Sequence, residues 1–160
     1  MLTPKIEEKA WTKELEVPIY KEWKTSKVYK FNKNTKKTIY SIDTPPPYIN
    51  APVHIGQATT YVLMDMFARF HRMIGDEVLF PLGLDKNGLP IEMAAEKKFN
   101  VKLTETSREK FIELCKKILD EAGSATVESF LRLGIGFNSF DKGEGIGEVY
   151  ETDSNIYRAL

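Results

Sequence analysis

One cysteine and two histidines are all that 160 residues supply of the side chains that most often build metal sites. A single thiol, Cys115, excludes an internal disulfide and a cysteine-built zinc site, so no metal centre is expected and core filling is the role expected of it. No apolar run approaches the ~18 residues of a membrane span, and the start, Met1-Leu2-Thr3-Pro4-Lys5, opens no apolar stretch of signal-peptide length. The sequence therefore reads as a soluble cytoplasmic protein without a membrane partner. Net charge is missing too: 23 Lys and Arg balance 23 Asp and Glu, which alone favours neither a nucleic-acid nor an acidic partner. No internal repeat is visible.

What is present is an ordinary globular composition, 42% apolar and 29% charged, enough for one domain with a real core. Charge is unevenly spread, with ten Lys against five acidic residues in positions 1–40. Residues 5–24 carry Ile6, Ala10, Trp11, Leu15, Ile19 and Trp23 at helix-compatible spacing, and Pro18 is expected to divide them into two short helices. From Lys21 to Lys37, seven lysines alternate with Trp23, Tyr29 and Phe31, without any arginine. A solvated connection anchored by its aromatics explains that run better than a nucleic-acid surface. Residues 1–37 are thus read as a helical extension with a basic connection.

The remainder, 38–160, alternates strand and helix. Thr38-Ile39-Tyr40-Ser41-Ile42-Asp43 is β-branched and aromatic and ends at turn-forming prolines. A helix is expected from about Gly56 to Ile74, with Val62, Met66, Phe70 and Met73 on one side, Asp65, Arg69 and Arg72 on the other, and Gly75 as its stop. Val78-Leu79-Phe80 reads as a second strand, followed by a turn-rich loop and a helix with Pro90 in its first turn. That order predicts a parallel α/β sheet with right-handed crossovers. Thr106 and Glu109 are spaced as a capping box for a long helix through Phe111, Cys115, Ile118 and Ala122, with a bend expected at Gly123-Ser124. Beyond Gly134 the chain reads as loop. Gly143, Gly145 and Gly147 lie among Glu144 and Glu148, whose charge would repel phosphate, so a flexible acidic turn is expected there.

In open α/β sheets, ligands sit beyond the carboxyl ends of strands. Two segments meet that condition, residues 45–57 and residues 81–92. The first contains four prolines (Pro45, Pro46, Pro47 and Pro52), which stiffen the backbone at low entropic cost. It then places His54 and Gly56 at a helix N-terminus, where unpaired N–H groups and the dipole favour phosphate. Asn50 reads as a loop organiser. Asp85, taken alone, is as well explained by a turn as by a ligand.

Together the segments resemble class I aminoacyl-tRNA synthetases. His54-Ile55-Gly56-Gln57, with its proline-rich approach, is similar to the "HIGH" signature. Leu82-Gly83-Leu84-Asp85-Lys86-Asn87-Gly88-Leu89-Pro90-Ile91-Glu92 is similar to the "GWDxHGLPIE" block of the valyl/isoleucyl subgroup, and Arg69-Phe70-His71-Arg72-Met73-Ile74-Gly75 to its "RYxRMxG". The resemblance spans residues 10–160, and its wording is most like archaeal-type valyl members.

The resemblance implies the N-terminal half of a Rossmann-like, doubly wound parallel-sheet catalytic domain, preceded by the helical extension. It implies ATP-dependent activation of valine to the adenylate, with Mg2+ accompanying the nucleotide, for transfer to tRNA. His54 and Gln57 become the candidate catalytic residues on the triphosphate, and Gly56 the residue under adenine. Pro46 and Asp85 would hold the substrate ammonium, while Tyr48 and Asn87 line the amino-acid pocket. Gln57 departs from the signature, keeping a donor but unable to become cationic. Residues 155–160 read as the start of a new helix, and nothing in the 160 residues matches the second signature, Lys-Met-Ser-Lys-Ser. The 160 residues are therefore expected to be inactive alone and to need a missing second half. An isoleucyl member, a truncated nucleotide-binding or regulatory module, and an interaction protein using the 107–133 helix are the alternatives.

Overall fold

A computed structural model describes residues 9–143 and 145–154. A 3-10 turn, Lys13–Leu15, leads into α1, Glu16–Ser26, which Pro18 does not divide. Pro18 is the third residue of the helix, where a missing N–H forfeits no intrahelical bond. Lys27, at φ 50°, ends α1 in the left-handed region. The aromatics of the basic connection do anchor it: Trp23 meets Tyr29 edge-on at 5.3 Å, and Arg72 lies 4.5 Å over the Tyr29 ring.

Strand β1, Ile39–Ser41, pairs in parallel with β2, Glu77–Leu79, with Tyr40 opposite Val78. A second parallel ladder joins β3, Gly83–Leu84, to β4, Tyr150–Glu151, with Gly83 opposite Tyr150. β2 and β3 lie on one run of chain, and Asn138 bridges the gap between them. This buried amide accepts from Phe80 N at 2.5 Å and donates to Val78 O at 2.9 Å and Tyr29 O at 2.7 Å. It thereby satisfies backbone groups that a neighbouring strand would otherwise pair. Among the described residues beyond Gly134 the loop reading holds as far as β4, which departs from it by pairing on the second flank of the central run.

Helix α2, Ile55–Ile74, crosses between β1 and β2 and ends on Gly75 at φ 103°. Its polar side is the one turned inward. Asp65, 7% exposed, accepts from Gly136 N at 2.8 Å and from Arg69 Nε at 2.6 Å. Arg69 and Arg72 donate in turn to the carbonyls of Gly134 and Gly136. Met66, Phe70 and Met73 face outward, Met73 being 84% exposed. The loop 134–136 carries backbone groups that need partners, and these decide which face of α2 is buried, against the amphipathic rule.

Helix α3, Leu89–Phe99, has Pro90 in its first turn, and α4, Arg108–Arg132, runs unbroken through Gly123-Ser124. The cap of α4 is Ser107, whose side chain accepts from Lys110 N, while Thr106 donates back to Lys102 O. The Thr106–Glu109 box is therefore one residue out. On α4, Gly123 faces Ile49, and a Cβ there would make only an ordinary contact, 3.4 Å from the Ile49 Cδ1. The core gathers between α2, α4 and the ladders, where Tyr61–Phe130 and Phe80–Phe137 ring centroids are 4.7 and 4.6 Å apart. Cys115 is partly buried between this core and a smaller cluster of Ala95, Phe111 and Ile118, and burial pushes its thiol pKa up. No described helix is long and apolar enough to cross a membrane. The helix expected at 155–160 and the first four residues of the 5–24 pattern lie outside the described residues, as does Glu144.

Candidate nucleotide and amino-acid site

The two segments singled out in the sequence come together through backbone pairing. Asp85 N donates to Pro47 O at 2.9 Å and Ile49 N to Asp85 O at 3.4 Å, an isolated parallel bridge between Tyr48 and Asp85. The proline loop thus continues the sheet for one residue beside β3, which sets Pro46 against Gly83. A Cβ on Gly83 would come within 2.8 Å of the Pro46 Cβ and overlap the Tyr150 ring. Only glycine permits this approach of loop, strand and ring. Tyr61, on α2, donates its hydroxyl to Pro45 O at 3.1 Å. Burial pushes the Tyr61 hydroxyl pKa up to about 12, so it stays a donor at neutral pH.

At the start of α2 the imidazole of His54 is the helix cap. Its Nδ1 accepts from Gly56 N at 3.1 Å and Gln57 N at 3.3 Å, and Gln57 Oε1 accepts from His54 N at 3.4 Å. This is a capping box with histidine in the place of the usual hydroxyl or carboxylate. The expectation of unpaired N–H groups at Gly56 and Gln57 is therefore corrected, because the ring already accepts from both. An accepting Nδ1 carries no proton, so the neutral ring is the Nε2–H tautomer. His54 and Gly56 are exposed and Gln57 is half-buried, which leaves the His54 Nε2–H and the Gln57 amide NH2 as outward donors.

Asp85 is held differently. Its Oδ1 accepts from Asn87 N at 3.1 Å and from the Thr152 hydroxyl at 2.8 Å. Thr152, 3% exposed and next after β4, also accepts from Lys86 N at 2.9 Å and from Asn87 Nδ2 at 3.0 Å. Asn87 Nδ2 further donates to Thr152 O at 3.0 Å. Asn87 and Tyr48 are exposed, Tyr48 by 52%, and Pro46 is half-buried. Side chains alternate along a strand, so Gly83, Asp85, Tyr150 and Thr152 share one face of the ladder. Leu84, Lys86, Val149 and Glu151 share the other. There Lys86 Nζ and Lys142 Nζ lie 3.0 and 2.6 Å from Glu151 Oε1, beside a groove of about 580 Å3 against α4. Burial alone would raise the Glu151 carboxyl pKa, but the two lysines hold it below its usual value.

Sequence reasoning missed Thr152 as a partner of Asp85. The one local signal was the alternation in Val149-Tyr150-Glu151-Thr152, short enough to be hidden by the glycines before it. Those glycines make no phosphate loop, because the Glu148 carboxylate itself accepts from Gly145 N at 2.9 Å. Among the described residues no group of three or more His, Cys, Asp or Glu could hold a metal ion.

The chain is 41% identical over 152 residues to a valine--tRNA ligase of Pyrobaculum aerophilum, covering 94% of the chain and 18% of the relative. It is 38% identical over 133 residues to that of Wolbachia pipientis wMel, covering 83% and 15%. It is 35% identical over 164 residues to that of Aeropyrum pernix, covering 98% and 19%. The fold is that of a LeuRS chain from Agrobacterium radiobacter K84 in a ternary LeuRS-tRNA-LeuAMS complex. The TM-score is 0.70 at 22% identity, over 89% of this chain and 16% of that one, and it supports the Rossmann-like α/β reading. The chain spans less than a fifth of the length of these relatives. The family described as tRNA synthetases class I (I, L, M and V) matches residues 18–144, and the chain belongs to it.

Proposed function

We propose that this chain forms one wall of a valine-activating site, in which ATP and valine react to valyl-adenylate and pyrophosphate before transfer to tRNA. The observation that carries the reading is the Tyr48–Asp85 bridge, which fixes the proline loop and the Asp85 turn side by side. A nucleotide phosphate and an amino-acid ammonium could then be held by adjacent segments. The carboxylate of valine attacks the α-phosphate, an acyl–phosphate bond forms, and the bond to pyrophosphate breaks. The attacking group is already an anion, so no general base is needed, and the protein's contribution is positioning and charge stabilisation.

In this reading His54 donates from Nε2 to the triphosphate, and the Gln57 amide is a second donor. Gly56 is exposed and without a side chain, which suits it to lie under adenine. Pro46 O and the Asp85 carboxylate take the ammonium, a charge-assisted pair, with Tyr48 and Asn87 beside it. Mg2+ arrives with the nucleotide. Valine is favoured over isoleucine by the relatives' names, and tRNA is the acceptor in a longer protein.

Calorimetric titration of the chain with 5′-O-(N-valyl)sulfamoyladenosine, its isoleucyl counterpart and ATP tests this. The valyl compound is expected to bind tightest, and Asp85→Asn to weaken it about tenfold or more, the worth of a charge-assisted hydrogen bond. Equal binding of valyl and isoleucyl compounds removes the valine assignment. An unaffected Asp85→Asn removes the ammonium assignment.

A further inference from the structure

We propose that Thr152 is a positioning residue for the Asp85 carboxylate, holding Oδ1 by its hydroxyl so that Oδ2 is presented to the substrate ammonium. The inference rests on the ammonium assignment given above and adds the residue that makes it work. The hydroxyl's direction follows from its partners. A threonine hydroxyl has one proton to donate and two lone pairs to accept with. Both lone pairs are taken by obligate donors, Lys86 N and Asn87 Nδ2, so the single proton goes to Asp85 Oδ1. Asn87 N is the second donor to that same oxygen. Oδ2 accepts no hydrogen bond from any described residue.

One oxygen with two donors and one with none is an asymmetric carboxylate. A carboxylate that only had to cap its turn would be complete with the Asn87 N bond. The additional bond comes from 67 positions along the chain, from a hydroxyl 3% exposed on the neighbouring strand. Thr152 N is itself fixed to Leu84 O at 3.1 Å, so the hydroxyl's place is set by the β3–β4 pairing. The amino-acid end of the site is therefore registered by β4, whereas its nucleotide end is set by the local cap on α2. Preorganisation of this kind removes rotamer freedom from Asp85 before the substrate arrives.

The test has two arms on the 160-residue chain. In the ligand-free chain, three-bond couplings to the Asp85 Cγ report whether its χ1 is a single rotamer. Wild type and Thr152→Ser are expected to show one rotamer and Thr152→Val an average of several. Thr152→Ala replaces the valine variant if the amide spectrum shows that valine does not fold. In the second arm, affinities are compared for 5′-O-(N-valyl)sulfamoyladenosine and its desamino analogue, which lacks the ammonium. Thr152→Val is expected to weaken the amine-bearing compound about tenfold and leave the desamino compound within about twofold, and Thr152→Ser to restore the difference. A single Asp85 rotamer in the valine variant, or equal weakening of both compounds, overturns the role of Thr152. A wild-type chain that binds both compounds alike, or neither, or an Asp85→Asn variant that keeps the preference for the amine, overturns the ammonium assignment and this inference with it.

Discussion

The two loops that meet in the site are held by different kinds of bond. The loop entering α2 is exposed at His54, and its bonds at the helix start span two or three residues, His54 to Gly56 and Gln57. The Asp85 turn is tied to Thr152 across 65 to 67 positions. The first can form as soon as α2 forms. The second exists only once 138–152 has folded onto the central run, so the Asp85 turn reports on tertiary structure and the start of α2 on local structure.

Changes on the Asp85 side should therefore cost more. Gly83→Ala is expected to have the largest effect, about 3 kcal/mol by urea denaturation, because the new Cβ overlaps Tyr150 and crowds Pro46. A loss below ~0.5 kcal/mol would mean that the loop, strand and ring can part without disturbing the fold. Glu151→Gln, on the opposite face of the same strand, is expected to cost about 1 kcal/mol after solvent screening, since it leaves Lys86 with a weaker partner. Its sign with pH is fixed. The folded Glu151 pKa lies below its ordinary 4.5, so the contribution is present above that value and lost as pH falls through the lower folded one. Thermal melts should show the wild type losing this increment in acid and the glutamine variant, lacking it, changing less.

At the other loop, His54→Ala should cost about 1 kcal/mol as a lost cap, and Gln57→Ala less, about 0.5 kcal/mol. Gln57→Glu keeps the acceptor in the box and should melt with the wild type, while its charge weakens ATP binding in the same calorimetric assay. Equal weakening by Gln57→Ala and Gln57→Glu would place the contribution of Gln57 in its amide donors rather than in charge.

The same contrast explains what was legible in the sequence. Parallel strands, the α2 boundaries, Gly75 and the site loops all rest on short-range patterns, and these were readable. The cap of α4 was read one residue early, because Thr106 and Ser107 are both competent hydroxyls and only the backbone decides between them. The inward polar side of α2 was not readable, since Asp65 and Arg72 find their partners at Gly136, more than sixty positions away. Asn138 standing in for a strand neighbour, and Thr152 on Asp85, are of the same kind. The chemistry of each residue was evident, but its partner was set by the fold.

The central claim is that one ligand spans both loops. Amide chemical-shift mapping with 5′-O-(N-valyl)sulfamoyladenosine tests it most directly. Perturbations are predicted at the non-proline amides of 48–57 and at those of 83–87 together, saturating with one affinity. Perturbations confined to the groove between α4 and Glu151, or to one loop alone, would contradict it.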